Sequence, residues 1–409
     1  MDEFCKKLGM KKQLLWFFIL VAAVALGNGL SDSVYANYFK EVYHINAQQR
    51  AFIEFPRELP GLLCAMVIAG LSFLGDLKTA LVAQVLAAAG LLALGVFTPS
   101  YTVMLIFLFV NSMGMHTFMP LSDSIGMSLA EKDRIGQRVG QYASVKTAMG
   151  FVAGLIVFIG FRTGLLSFHT KIKWVFLLGT AAFLFAIFAA AALIRSHAAQ
   201  ENTYHNKPRF VFRKEYRYYY ILTVLHGVQK QIAFVFGSWV IVDLLRKGAD
   251  VMSLLTITGS FLGIFFMNYL GRWMDRFGIK IMMYADALSF IVVYVIYGFV
   301  VWALSSSLLP GNGWPVMIVY LLFVLDRLSM QIGIVKSVYL KSIAVSPNDV
   351  TAALSTGISL DHIVSIVAAQ FSGMIWVSWG PQWVFFLAAF FSLGNLFVAW
   401  RIPKETKCG

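Results

Sequence analysis

The chain consists of apolar runs, most of them about 20 residues long, separated by short breaks rich in charged residues, glycine and proline. A run of this length crosses the hydrocarbon core of a bilayer as one α-helix. Hydrophobic residues make up 59% of the 409 residues and charged residues only 13%, whereas soluble proteins carry roughly 25% charged residues. Soluble enzymes, nucleic-acid-binding proteins and secreted disulfide-linked folds are therefore excluded, and an integral membrane protein is predicted.

The apolar runs divide into twelve candidate membrane spans, which we number 1 to 12 along the chain. These are residues 14–37, 52–72, 79–97, 101–125, 139–161, 174–194, 218–243, 250–270, 281–304, 314–338, 351–376 and 382–400. An even number of spans places both termini on one side of the membrane. Loops on that side hold roughly three times as many Lys and Arg residues as the opposite loops, which predicts cytoplasmic termini. We expect a multi-pass protein of the cytoplasmic (inner) membrane.

A long polar stretch, residues 195–217, lies near the middle of the chain. It predicts a cytoplasmic linker between an N-terminal six-helix bundle at 1–194 and a C-terminal six-helix bundle at 218–409. Its basic end, beside the tyrosines at 218–220, fits an anionic-lipid site or a stop-transfer flank with an interfacial aromatic belt, and we prefer the flank.

Two short loops carry related motifs. The loop after span 8 reads GRWMDRFGIK and includes Gly271, Asp275, Arg276, Gly278 and Lys280. The loop after span 2 reads GLSFLGDLK and begins about 201 residues earlier, at residue 70. In that copy a leucine stands where Asp275 would be expected, and the aspartate, Asp76, is displaced by two positions. A repeat at this offset indicates an internal duplication.

The complete copy resembles the G-x-x-x-D-R-x-G-x-K signature of the major facilitator superfamily. Residues 134–140, RIGQRVG, also look like the R-x-G-x-x-x-G element of that family. The resemblance covers essentially the whole chain. It implies an all-α membrane protein whose two six-helix bundles rock around a central site near the bilayer midplane. It also implies that spans 1, 4, 7 and 10 line the cavity, and that Asp275, Arg276, Gly271, Gly278 and Asp76 contribute to gating.

Ionisable residues inside spans are costly unless they are paired or face a watery cavity, so each one predicts a functional site. In span 7, His226 and Lys230 share one face, and we expect Lys230 to meet Asp32, Asp123 or Asp326. In span 10, Asp326 and Arg327 are adjacent and point about 100° apart. The planar guanidinium of Arg327 suits a carboxylate or phosphate, whereas Asp326 can bind a proton.

Spans 1, 4 and 5 hold further candidates. Asn28, Ser31, Asp32 and Tyr35 follow i, i+3, i+4, i+7 spacing, which predicts one shared helical face. Asp32 then either carries a proton or cation, or accepts hydrogen bonds near the end of the span. In span 4 we expect Ser112, His116 and Asp123 on one face. His116 either passes protons to Asp123 or bonds a neighbouring helix, and Lys146 of span 5 either snorkels to the membrane surface or binds substrate.

Spans 2 and 11 are rich in polar residues. In span 2, Arg57 lies between Glu54 and Glu58, and a buried ion pair that keeps two helices in register is preferred over a transport role. In span 11, Thr351, Ser355, Ser359 and His362 form a polar stripe with Asp361 beside it. Asp361 and His362 are interpreted as a proton relay, with pairing of Asp361 to a cation as the alternative.

These patterns together predict a secondary active transporter of a small polar, anionic or zwitterionic, organic solute, coupled to protons. The expected substrate-binding residues are Arg327, Lys230, Asn28, Gln231 and Lys146. The expected proton-coupling residues are Asp32, Asp326, Asp123, His362 and Asp361. The alternative is a proton-coupled exporter of amphipathic drugs. For such an exporter the family resemblance implies a Gly-Pro element in span 5, and span 5 contains no proline.

An enzyme is not expected, because the sequence contains no H-E-x-x-H zinc pair, no G-x-S-x-G element and no phosphate-binding glycine loop. No cofactor or metal is expected either. The expected partners are the solute, membrane lipids and protons, without nucleic acid, and the protein is expected to be a monomer.

Overall fold

The computed structural model describes residues 11–129, 135–196 and 211–403, although not every side chain within them. Most of the predicted linker, residues 197–210, lies outside this part of the chain. The chain divides into two compact units, Met1–Tyr43 with Leu59–His205 (unit 1) and His44–Glu58 with Asn206–Gly409 (unit 2). The first residues of predicted span 2, up to Glu58, therefore belong to unit 2.

Unit 1 is built from α-helices. They are α1 (Lys12–Asp32), α2 (Tyr35–Tyr43), the second part of α3 (Ala47–Gly70), α4 (Gly75–Val96), α5 (Tyr101–Ser128), α6 (Ile135–Arg162) and α7 (Trp174–Ser196). Helices α4 and α5 pack with their backbones in contact, because a Cβ atom at Gly90 would lie 2.5 Å from the backbone nitrogen of Asn111. Small residues at such crossings are typical of membrane helix packing.

Unit 2 is also helical. It contains the first part of α3, α8 (Arg217–Gln231), α9 (Ala249–Ser305), α10 (Trp314–Ile332), α11 (Val335–Ser342), α12 (Pro347–Ser378) and α13 (Pro381–Arg401). Helix α8 continues as two π-helical segments, Ile232–Gly237 and Val240–Leu244. Helix α9 is broken at Gly278, where φ is 80° and ψ is 165°, so two consecutive spans form one element.

Ten helical segments among the described residues are long and apolar enough to cross a membrane. The two candidate spans outside this count are α3, which carries several charges, and α8, which leaves α-helical geometry after 15 residues. Large apolar side chains such as Phe188 and Phe371 are exposed on the outside, while Glu54 and Asp326 are buried. The prediction of an all-α membrane protein is confirmed, and the side of the termini stays a prediction.

The shared polar face expected in span 1 is wrong. Helix α1 ends at Asp32, a turn follows, and α2 begins at Tyr35. Ser31 and Tyr35 are buried, whereas Asp32 is exposed. The cause is local, because the hydroxyls of Ser31 and Ser33 donate to backbone carbonyl oxygens one turn earlier, at 3.2 and 2.6 Å, and such bonds compete with a continuing helix.

Candidate functional site

A cavity of about 280 Å³ lies within unit 2, between α8, the first part of α9, and α10. Its polar lining residues are Lys230, Thr256, Ser260, Arg327 and Gln331. Its apolar lining comes from Ala233, Phe234, Gly259 and Met330. The volume is at the lower end of the range for small-molecule pockets, so the cavity fits a solute smaller than a typical drug.

Backbone irregularity and small residues open this cavity. Helix α8 changes from α- to π-helical geometry at Ile232, directly after Lys230, and such segments occur frequently at functional sites. On α9, a Cβ atom at Gly263 would overlap the side-chain amide of Gln331. Glycine there lets Gln331 of α10 lie against the backbone of α9 and fixes the separation of the two helices.

Arg327 is a cation of the cavity without an ion pair. Its guanidinium carbon lies 4.9 Å from the ring centre of Phe323 and 5.9 Å from that of Phe234. Within the described part of the chain, its Nε atom has no hydrogen-bond partner and no carboxylate forms an ion pair with it. Stacking on two aromatic rings orients the guanidinium, and the carboxylate that acts on it electrostatically, that of Asp326, forms no ion pair with it.

Lys230 pairs with Asp361 of α12. The expected partners were Asp32, Asp123 and Asp326, and the structure corrects that expectation. Asp361 lies on a different face of its helix from His362, and this face meets α8 at Gly227, where a Cβ atom would lie 3.0 Å from Oδ1 of Asp361. The pair is partly open, with 33% of the lysine side chain and 20% of the aspartate exposed.

Asp326 points away from the cavity into the interior of unit 2, as expected for a neighbour of Arg327. It is 1% exposed. Its carboxylate interacts with Tyr294, whose hydroxyl also donates to the backbone oxygen of Gln229 at 3.0 Å. Tyr297 donates from the same helix to the backbone oxygen of Gly237 at 3.3 Å, so two tyrosines of α9 connect to the irregular end of α8.

A buried polar network continues from Gln229. Its side chain donates to Ser392 at 2.7 Å and accepts from Asn395 at 3.2 Å. Asn395 also lies 3.5 Å from Asp286. These bonds connect α8, α9 and α13 through groups that are all nearly inaccessible to solvent.

Asp286 and Lys336 line a second, much smaller cavity together with His226. Its volume of about 10 Å³ suits roughly one water molecule. Sequence analysis assigned no role to either residue. Asp286 stands close to the start of span 9, and Lys336 lies close to the end of span 10. The available signal was that both are charged residues within apolar runs.

The first part of α3 carries a second buried charge cluster in unit 2. The carboxylate of Glu54 accepts from Arg50 at 2.5 Å and from Arg57 at 2.9 Å. Glu58 lies 2.7 Å from Nδ1 of His362 on α12. The expected cation between two carboxylates is therefore corrected to a carboxylate between two cations. Arg50, 2% exposed, was missed because the apolar run begins after it.

The guanidinium of Arg57 lies 5.2 Å from the ring centre of Phe234. Phe234 therefore contacts both this cluster and Arg327. Of the two guanidinium groups near this ring, that of Arg57 forms an ion pair with Glu54, whereas that of Arg327 forms none among the described residues.

The candidates of unit 1 form separate local contacts. Lys146 lies 3.7 Å from Asp123 and 3.0 Å from the hydroxyl of Ser122. The His116 ring lies 3.0 Å from the hydroxyl of Ser112, one turn earlier. Oδ1 of Asn28 is buried without a hydrogen-bond partner among the described residues.

Of the five expected substrate-binding residues, Lys230 and Arg327 line the large cavity. Asn28 and Lys146 belong to unit 1. Gln231 is 1% exposed and is not among the residues that line this cavity.

The motif loops form tight turns. Gly278 and Gly75 adopt positive φ angles of 80° and 74°. Asp76 follows its turn glycine, whereas Asp275 precedes Gly278, so the two aspartates occupy different positions relative to their turns. The carboxylate of Asp76 accepts a hydrogen bond from the hydroxyl of Ser124 at 2.7 Å. The guanidinium of Arg276 lies over the ring of Phe277, and a Cβ atom at Gly271 would meet nothing within 4 Å.

Lys280 donates to the backbone oxygens of Trp400 and Ile402, at 3.1 and 2.5 Å, and so caps the C-terminal end of α13. The side chain of Asp275 and residues 130–134 lie outside the described residues.

Comparison with known proteins agrees with this fold. The family model of the Major Facilitator Superfamily matches residues 17–339, and the chain belongs to that family. No curated protein sequence matches the chain significantly. The predictions of the family, of a multi-pass membrane transporter and of a protein that is not an enzyme are confirmed.

Solved structures of transporters align with nearly the whole chain. A variant of the nucleoside transporter NupG has a TM-score of 0.76 and 12% identity, with 95% of this chain and 99% of that one covered. A D-xylose-proton symporter gives 0.72 and 15%, covering 97% and 99%. A POT family transporter in complex with 5-aminolevulinic acid gives 0.75 and 11%, covering 95% and 96%. At these identities the likeness shows the fold alone.

Proposed function

We propose that this secondary transporter carries a small polar organic solute with an acidic group, and that transport is coupled to protons. The observation that carries the proposal is the unpaired guanidinium of Arg327 in the cavity between α8, α9 and α10. A cation inside a membrane protein that has no ion-pair partner costs several kcal/mol. An acidic group of the solute would supply the missing counter-charge.

The chemistry of Arg327 suits this role. Guanidinium presents N–H donors in a fixed planar fork that matches a carboxylate or phosphate, and it keeps its charge at all accessible pH values. The rings of Phe234 and Phe323 hold the fork in place. Thr256, Ser260 and Gln331 offer hydrogen-bonding groups for the rest of a polar solute.

Proton coupling is proposed to involve the carboxylates of unit 2. Asp361 pairs with a lysine of the cavity, and Asp326 is buried without an ion pair among the described residues. Carboxylates beside the cations of a transport site can carry the coupled proton, since Asp and Glu residues within membrane spans form the proton relays of transporters. A structurally similar protein is described as a proton symporter, which fits coupling by this route.

The test is thermal unfolding of the purified protein with L-lactate, succinate, inorganic phosphate, D-xylose and tetraphenylphosphonium. A ligand that binds only the folded state stabilises it by about 2.7 kcal/mol at a hundredfold excess over Kd. We expect an acid or phosphate to raise Tm of the unmodified protein, and the shift to disappear in Arg327→Gln. Arg401→Gln, which removes an exposed guanidinium on α13, is the control and keeps the shift.

Two results would contradict the proposal. An acid that stabilises Arg327→Gln as well as the unmodified protein would show that the acidic group binds elsewhere. Stabilisation by tetraphenylphosphonium alone, unaffected by the substitution, would favour the exporter of amphipathic drugs.

A further inference from the structure

Lys230 takes part in both the large cavity and an ion pair. Its side chain lines the large cavity, and its ammonium group pairs with Asp361. Asp361 itself is not among the residues that line the cavity. An acidic group in the cavity would therefore approach the same lysine from the cavity, which Asp361 does not line.

We propose that the solute is a net anion without an ammonium group, and that its acidic group shares Lys230 with Asp361, so that binding of the anion and of a proton at Asp361 favour each other. This inference rests on the proposed function and specifies both its substrate class and its coupling site. Anion and proton then travel in the same direction.

The charge of the cavity wall selects the substrate class. Its described lining contains two cations, Lys230 and Arg327, and no carboxylate. Each cation also has a carboxylate that acts on it from outside this lining, Asp361 on Lys230 and Asp326 on Arg327, so the charges that face the cavity itself are positive. An amino acid would bring its ammonium group against a lining that contains two cations and no carboxylate, and like-charge repulsion would weaken its binding.

Lys230 can serve two anions at the same time. A lysine ammonium has three N–H donors, and the pair with Asp361 uses one side of it. About a third of the lysine side chain remains exposed. Glycine at position 227 leaves the space in which the Asp361 carboxylate sits, because a side chain there would crowd it.

Titratable groups of three helices interact with Asp361 or with its partner Lys230. Helix α8 contributes His226, Lys230 and Tyr219, and α11 contributes Lys336. From α3, Glu58 acts on Lys230. Lys230 is the one group among these that also lines the large cavity, so an anion bound there acts on Asp361 mainly across this lysine.

The coupling follows from electrostatics. Two carboxylates that share one cation repel each other, and binding of a proton at one of them relieves the repulsion. By linkage, the anion must favour protonation of Asp361 by the same factor by which that proton favours the anion. Lower pH therefore tightens anion binding.

The experiment measures Kd at pH 5.5 and pH 8 by thermal shift for three matched pairs of probes. They are L-lactate with L-alanine, propionate with β-alanine, and succinate with L-aspartate. In each pair the acid should stabilise the protein more than the amino acid does. In the unmodified protein the stabilising acid should bind about tenfold more tightly at the lower pH, within the usual range of coupling.

Asp361→Asn should have the opposite effect from Arg327→Gln. It removes the competing carboxylate, so at pH 8 the acid should bind about tenfold more tightly than to the unmodified protein. The dependence on pH should also disappear. Asp361→Glu, which keeps the charge and the pair, should keep the dependence if the amide variant folds poorly. Glu215→Gln removes an exposed carboxylate and should change neither quantity.

The outcomes separate the two proposals. Weaker binding in Asp361→Asn, or a persisting dependence on pH, overturns shared use of Lys230 while leaving Arg327 as the anion site. Equal or stronger stabilisation by the amino acids overturns the substrate class. If no acid stabilises the unmodified protein, both this inference and the proposed function are wrong.

Discussion

Glu54 forms ion pairs that are expected to stabilise unit 2. It is fully buried and accepts from two arginines of its own helix, at 2.5 and 2.9 Å. Glu54→Gln would remove the carboxylate charge that both guanidinium groups contact, and breaking a buried ion pair in this way costs about 3–5 kcal/mol. We expect a clearly lower Tm in detergent. Glu215→Gln, on an exposed carboxylate, is the control, and equal Tm values for the two variants would contradict this role of the cluster.

For single residues, the sequence predicts which charged side chains line the cavity, but it does not predict their ion-pair partners. Lys230 and Arg327 stand out because each is charged within an apolar run. The partner of Lys230, however, is 131 residues away in the chain, and its identity depends on which faces of α8 and α12 meet. Arg50 was not predicted as a site residue, because hydropathy places the start of span 2 after it. The helix itself begins earlier, at Ala47, and so includes Arg50.

The turn within α9 tests the motif as a structural element. Gly278 has φ 80° and ψ 165°, a region open essentially to glycine, and other residues there cost about 1–3 kcal/mol. No atom lies within 4 Å of a Cβ atom built at Gly278 or at Gly271, so space does not distinguish the two positions. Gly278→Ala should lower Tm, whereas Gly271→Ala, in helical backbone, should leave it unchanged or raise it slightly. Equal effects would contradict the backbone explanation.

Elements are predictable where sequence rules act locally. Apolar runs and turn glycines locate most helices, and the repeat correctly places one turn in each unit. The end of α1 at Asp32 was not predicted, since it depends on hydroxyls that bond carbonyl oxygens within their own turn. The π-helical continuation of α8 was not predicted either, because it depends on tyrosines 294 and 297 of another helix.

For the whole molecule, the fold is predictable and the solute is not. Twelve apolar runs and one loop signature are enough to identify the family. Its structurally similar members include a nucleoside transporter and a xylose symporter at 12% and 15% identity, so one helical framework accommodates different solutes. We propose that substrate class depends instead on the cavity-lining charges Lys230 and Arg327.

Transport by the intact protein provides the last prediction. In proteoliposomes with an acidic exterior, we expect radiolabelled L-lactate or succinate to accumulate above its external concentration, because a proton enters with each acid. A protonophore should abolish accumulation, and Arg327→Gln should abolish uptake. Asp361→Asn should still exchange labelled for unlabelled acid but should not accumulate it, since binding survives while the proton site is lost. Accumulation by Asp361→Asn equal to that of the unmodified protein would place proton coupling at another residue, with Asp326 the next to test.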